Sequence, residues 1–167
     1  CFEGYYREPE LTAAAFDDEG FFHSGDRASM DTTGHLRYGG RIKDMLKVGG
    51  ENVASIEIED FLNTHPAVRI AQVVGVPDAR YGEVPAAFIE LEPGADPSGQ
   101  ELIDHCLGRI ATYKVPRYVH FVTDWPMSGT KVKKFELRDG LLSQVAPDGD
   151  VPEAARLVAP KSGATTT

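Results

Sequence analysis

The sequence has little cysteine, no long apolar run and no excess of positive charge, and each shortage excludes something. Its two cysteines, Cys1 and Cys106, are too few for a disulfide framework, and no Cys-x-x-Cys occurs. A reduced, cytoplasmic setting is therefore expected. The five histidines, His23, His35, His65, His105 and His120, show no ligand spacing, so no metal site is expected within the chain. No apolar run approaches the roughly 20 residues a membrane span needs. With 17 Lys and Arg against 26 Asp and Glu, the net charge of -9 and pI near 5.0 repel polyanions, and no nucleic-acid partner is expected. No basic leader with an apolar stretch opens the chain, and no internal repeat is present. The chain begins at Cys1 rather than Met and starts in mid-pattern, as expected of a fragment.

What is present is globular. The hydrophobic fraction of 41% and the charged fraction of 26% suit a soluble domain, and 167 residues fit one domain with flanking pieces. Residues 1–38 are punctuated by Gly4, Pro9, Gly20, Gly25 and Gly34, with Asp17, Asp18 and Asp31 beside them. That pattern predicts short strands and turns, with helix only over residues 9–15. Phe21, Phe22, Leu36 and Tyr38 outnumber the local cover, so an upstream partner is expected to bury them.

Further on, Ser55 is placed to cap a helix whose first turns carry Glu57, Glu59 and Asp60, with Ile58, Phe61, Leu62 and His65 at helical spacing as far as Pro66. Residues 68–76, 84–91 and 118–122 read as three strands, the first ended by a Pro77-Asp78 turn. Between the last two, Ser98 and Glu101 form a capping-box pair before a helix lined by Leu102, Ile103, Cys106, Leu107 and Ile110. The stretch PMSGTKVKK reads as a loop, followed by a short helix over 135–142 and a tail rich in Pro, Gly, Asp and Thr that is expected to be disordered. The expected fold is α+β, a small domain with a three-stranded sheet and packed helices.

Four ordered pieces then resemble one family: GFFHSGD (20–26), GGRIKDMLKVGGENV (39–53), GVPDARYGEVPAAFI (75–89) with YKVPRYVHFV (113–122), and PMSGTKVKKFELR (126–138). They resemble the adenylate-forming, AMP-binding enzymes, which include acyl-CoA synthetases and acid-CoA ligases. The resemblance implies a large N-terminal domain, hinged to a small mobile C-terminal one. Of the large domain, residues 1–42 look like the β-rich end, residues 43–140 like the small domain, and 141–167 like a tail. The family's Gly-rich Ser/Thr phosphate loop followed by Lys is absent from the sequence.

Residue by residue, the resemblance makes Asp26 the carboxylate that accepts the ribose hydroxyls of AMP or ATP, and Arg41 a guanidinium holding ribose or phosphate oxygens. Lys43 falls at the hinge position. Gly49 and Gly50 would line the pantetheine path of CoA, though a tight hairpin asks for the same glycines. Lys131 looks like the catalytic lysine that brings the α-phosphate and the substrate carboxylate together. Here the family pattern has Gly immediately before the lysine, whereas Thr130 stands there and Gly129 is one further back. On residue types alone, Asp26 also fits a Gly-Asp turn, Arg41 and Lys43 also fit exposed strand-end cations, and Lys133 and Lys134 also fit a solvated helix start.

The implied activity is that of an acid-thiol ligase of fatty-acid metabolism: a small carboxylic acid, ATP and CoA give acyl-CoA, AMP and pyrophosphate through an acyl-adenylate. Mg2+ would accompany ATP, with its ligands in the missing N-terminal AMP-binding domain, and the fragment alone would be inactive. Two alternatives stay open: a non-catalytic split or truncated module, and an adenylation domain serving a carrier protein.

Overall fold

The computed structural model describes residues 2–143. The expected tail lies outside them from residue 144 onward. The chain divides into two compact units, with the division between Lys43 and Asp44.

In the first unit, Pro9 opens α1 (Pro9–Ala15), the segment the sequence predicts. Thr12 steadies it, donating its hydroxyl to the Glu8 carbonyl and accepting the Tyr5 amide. β1 (Asp26–Met30) and β2 (Leu36–Arg41) form an antiparallel pair. Between them the Asp31 carboxylate accepts the amides of Thr33 and His35, and Gly34 takes a φ of +88° that a side chain would resist. Phe22 joins Phe2, Phe16 and, through Phe2, Tyr5 in an aromatic cluster. Phe21, Leu36 and Tyr38 stay exposed in this unit.

The second unit is α+β, as expected, but its main sheet has five strands rather than three. Three are the predicted ones: β5 (Val68–Asp78) and β6 (Gly82–Leu91), both longer than expected, and β7 (Tyr118–Phe121), one residue shorter. The other two, β3 (Met45–Val48) and β4 (Glu51–Ala54), form a hairpin across Gly49 and Gly50. β5 pairs antiparallel along one side of β6. On the other side β7 lies parallel to one end, and β3 touches the opposite end through the single pair Val48 with Gly82. The turn between β5 and β6 falls at residues 79–81 rather than at Pro77-Asp78, because the Asp78 carboxylate accepts the amides of Arg80 and Tyr81 and β5 continues to Asp78.

Helices cover both faces. On one, α2 (Ser55–Leu62) and α3 (Gly99–Cys106) bury Ile58, Leu62, Leu102 and Ile103 against Leu46, Val53, Val73 and Ile89. On the other, α4 (Lys134–Leu142) sets Leu137 and Leu141 on Val74, Val76, Val84 and Phe88. Leu141 is thus core rather than tail. The Ser98–Glu101 capping box is present in both directions. Ser55 does not cap: Ala54 holds the N-cap position and Ser55 is buried inside the first turn. α2 ends at Leu62, four residues short of Pro66.

β5 is a sheet edge, and α2 seals it. Asn63 Oδ1 accepts the Ala71 amide at 3.0 Å and Glu59 Oε1 accepts the Val73 amide at 2.8 Å. Side-chain acceptors therefore occupy edge donors that another strand could otherwise have used.

Candidate functional site

Strand register brings Asp26 and Arg41 together. They are the first residue of β1 and the last of β2, they face each other across the ladder, and Arg41 Nε donates to Asp26 Oδ1 at 3.1 Å. Gly25, at a φ of +74°, turns the chain into β1 while its carbonyl accepts the Ile42 amide. Both side chains keep substantial exposure, so the pair contributes at most about 1 kcal/mol. A ligand carrying hydroxyls or phosphate could reorganise such a pair at little cost. Lys43 lies exposed in a single 3-10 turn, Ile42–Asp44, at the division between the units.

The second unit carries the remaining residues on two hairpins. In the first, Val48 pairs Glu51, leaving a two-residue turn in which Gly49 has φ +59° and Gly50 φ +93°. Positive φ at both central positions is the type I′ requirement, which the right-handed twist of the strands favours. The Gly49 amide donates to the Tyr81 carbonyl at 2.8 Å, and a Cβ on Gly49 would come within 3.3 Å of the Tyr81 ring. The Arg80 and Arg117 guanidinium groups each lie over that ring, 5.2 and 5.4 Å from its centre.

The second hairpin replaces the expected PMSGTKVKK loop. β8 (Met127–Ser128) and β9 (Lys131–Val132) pair across Gly129 and Thr130, and the Lys133 amide closes onto the Pro126 carbonyl at 2.8 Å. Only Gly129 of the two turn residues has positive φ, at +60°, as a type II′ turn requires of its first central position. The glycine therefore stands one residue ahead of Thr130 because this turn needs it there.

The three lysines of KVKK separate by their partners. Lys133 bonds Glu136 at 2.7 Å. Lys134 is half-buried, donating to Glu59 Oε1 at 2.5 Å and to Ser55 Oγ at 2.9 Å, which overturns the solvated-cluster reading for this residue. Lys131 is exposed, and among the described residues its ammonium has neither an ion pair nor a hydrogen bond. A free cation on a two-point-anchored hairpin can approach an anion without first breaking a contact.

Sequence reasoning missed two carboxylates. Glu59 was grouped with a helix N-terminus, yet Ser55, Glu59 and Leu62 lie at i, i+4 and i+7 on the buried face, a spacing that could have placed it inside. Glu83, in the YGEVP run, bonds the Lys47 amide at 2.8 Å, with Arg138 3.9 Å from its other oxygen.

Other reactive groups are quiet. Burial pushes the Cys106 thiol up to about 11, which keeps it protonated and poorly nucleophilic at neutral pH. Desolvation lowers His120, and desolvation with the neighbouring His65 and Arg109 charges lowers His105, so both favour the neutral form. Among the described residues no three His, Cys, Asp or Glu side chains converge on a metal position. No helix there is long and apolar enough to cross a membrane.

Residues 57–132 match the AMP-binding enzyme C-terminal domain. YngI of Bacillus subtilis, which carries an acyl-CoA synthetase name, is 49% identical over 138 residues, covering 82% of this chain and 25% of its own. The human medium-chain acyl-CoA ligase ACSF2, mitochondrial, is 42% identical over 137 residues, covering 81% and 22%. Among solved structures, ATP-bound MatB from Rhodopseudomonas palustris superposes with a TM-score of 0.77 at 37% identity, over 83% of this chain and 28% of that one. The anthranilate CoA ligase AuaEII, in complex with anthranoyl-AMP, gives 0.74 at 38% identity, over 83% and 27%. The chain thus spans about a quarter of the length of the relatives it matches. It belongs to the adenylate-forming, AMP-binding enzymes, and its second unit carries their C-terminal domain.

Proposed function

We propose that this chain is the C-terminal portion of an ATP-dependent acyl-CoA synthetase acting in the cytoplasm on a small carboxylic acid. The observation that carries the reading is Lys131, the exposed lysine of the KVKK run that has no partner among the described residues while Lys133 and Lys134 are each tied to a glutamate. In the first half-reaction a carboxylate oxygen attacks the α-phosphorus of ATP, pyrophosphate leaves, and an acyl-adenylate forms. Lys131 lies between the two anions and offsets the charge that develops on phosphorus. Asp26 and Arg41 exchange their mutual contact for the ribose hydroxyls and phosphate of the nucleotide.

Backbone rotation at Lys43 then withdraws Lys131 and presents the Gly49–Gly50 turn. The CoA thiol attacks the acyl carbonyl, loses its proton, and expels AMP. The Gly50 position, without a Cβ, leaves room for a narrow pantetheine arm to pass close to the backbone. The Mg2+ that accompanies ATP would be held outside the described residues, among which no three His, Cys, Asp or Glu side chains converge.

The test uses the full-length protein that contains this chain, with ATP, CoA and a panel of carboxylates headed by medium-chain fatty acids, the class in the ACSF2 name. Release of AMP together with acyl-CoA is the expected result, and the 167-residue chain alone should release neither. Acyl transfer to a phosphopantetheinyl carrier but not to CoA would replace the acceptor. No carboxylate-dependent AMP from any member of the panel would refute the reading.

A further inference from the structure

The Gly49–Gly50 hairpin is held to its sheet by few backbone bonds. β3 and β6 share one register pair, Val48 with Gly82, beside the Gly49 amide bonded to the Tyr81 carbonyl. Continued pairing would set Lys47 against Glu83 and bring Pro85, which has no N–H, to the same edge. Instead the Glu83 side chain reaches across, and its Oε2 accepts the Lys47 amide at 2.8 Å. A carboxylate therefore replaces a ladder carbonyl two residues before the turn.

The carboxylate fits there because Gly75 has no side chain. A Cβ at Gly75 would lie 2.2 Å from both Cδ and Oε1 of Glu83, and 2.8 Å from Cγ. Gly75 has no positive φ, so its backbone does not demand glycine; the space does. The other oxygen, Oε1, faces Arg138 of α4 at 3.9 Å. One acidic side chain is thus packed on β5, bonded to β3 and facing α4.

We infer that Glu83, seated over Gly75, is the positioning residue that holds the Gly49–Gly50 turn in register for the thioester-forming half-reaction. The inference rests on the proposed assignment of that turn to CoA. Glu83 touches no reacting atom; it acts through the Lys47 amide on a turn whose two central residues are both glycine. Removing its acceptor frees the hairpin while leaving the Lys131 hairpin anchored through Lys134, Glu59 and the Lys133 amide.

The experiment uses the full-length enzyme with Glu83→Ala, Glu83→Gln, Gly75→Ala and the Glu83→Ala/Gly75→Ala double variant. Amide exchange over residues 45–54 should quicken by roughly 10-fold to 100-fold in Glu83→Ala, the factor expected when a hydrogen bond to a charged group is lost. Conversion of supplied acyl-adenylate to acyl-CoA should fall by a comparable factor, with carboxylate-dependent pyrophosphate exchange within about 2-fold of wild type. Glu83→Gln keeps a carbonyl acceptor and should recover most of both readouts. Gly75→Ala should reproduce Glu83→Ala by expelling the carboxylate, and the double variant should be no worse than either single one.

Unchanged exchange over residues 45–54, or equal losses in both half-reactions, would overturn the inference. A wild-type protein that makes no acyl-CoA would refute the functional reading instead, and the exchange data would still decide whether Glu83 holds the turn.

Discussion

Replacing Glu59 by alanine should destabilise the second unit more than any surface change of equal size. The Glu59 side chain is 9% exposed, accepts the Val73 amide at 2.8 Å, and pairs with the Lys134 ammonium, itself 22% exposed. Truncation leaves an edge-strand N–H and a half-buried cation without their acceptor. Breaking a buried pair costs about 3–5 kcal/mol, and partial access of Lys134 to water and its bond to Ser55 Oγ set the expectation at the lower end, about 3 kcal/mol. For a body of about 100 residues this lowers Tm by roughly 12–24 °C. Thermal unfolding followed by circular dichroism reads it directly. Glu59→Gln retains an acceptor for Val73 and should lose about half as much, and Glu59→Leu with Lys134→Met, which removes both charges but still leaves the Val73 amide without its acceptor, should recover about half of the loss. A Glu59→Ala shift below about 2 °C, or a double variant that is simply additive, would refute the reasoning.

The turn and the buried histidine give two more tests. Gly50→Val puts a β-branched side chain at φ +93° and should cost about 1–2 kcal/mol, seen as a lower urea midpoint; an unchanged midpoint would contradict the type I′ assignment. His120 stacks on Phe88 at 5.2 Å and buries an Nε2 that has no hydrogen-bond partner among the described residues. Burial lowers its pKa from 6.5, so the unfolded chain binds the proton more readily, and stability is full above that value and lost as pH falls through the folded pKa. His120→Phe should flatten that acid slope and add about 1 kcal/mol at neutral pH, with the residual slope belonging to His105, which is lowered in the same direction. A slope below pH 6.5 identical in wild type and variant would exclude His120 as its source.

How much of this was legible in the sequence depended on how local the governing interaction is. The helix at Pro9–Ala15 and the Ser98–Glu101 capping box are set by residues within a few positions and lie where the sequence puts them, while the long strands β5 and β6 are the expected ones, each two residues longer at the turn between them. The hairpin strands β3 and β4 have four residues each, and β8 and β9 two, too short for alternation to stand out beside their glycines. The α+β class was therefore readable and the strand count was not. Ser55 looked like a cap because serine caps often; the structure buries it to meet Lys134, 79 positions away. Glu83 and Gly75 likewise make sense only once β5 and β6 are paired. For the candidate site, the sequence named Lys131, Asp26, Arg41, Gly49 and Gly50. Their partners, and the contrast among Lys131, Lys133 and Lys134, needed coordinates.

Lys131 carries the central claim, and one measurement reaches it most directly: carboxylate-dependent exchange of pyrophosphate into ATP by the full-length enzyme, with Lys131→Ala compared against Lys133→Ala. Loss of a preorganised cation at a charge-developing centre costs about 100-fold to 1,000-fold. Lys131→Ala is expected to fall by that factor, Lys133→Ala to stay within about 3-fold, and Lys131→Ala should still convert supplied acyl-adenylate to acyl-CoA. Wild-type exchange by Lys131→Ala, or the larger loss in Lys133→Ala, would contradict the account.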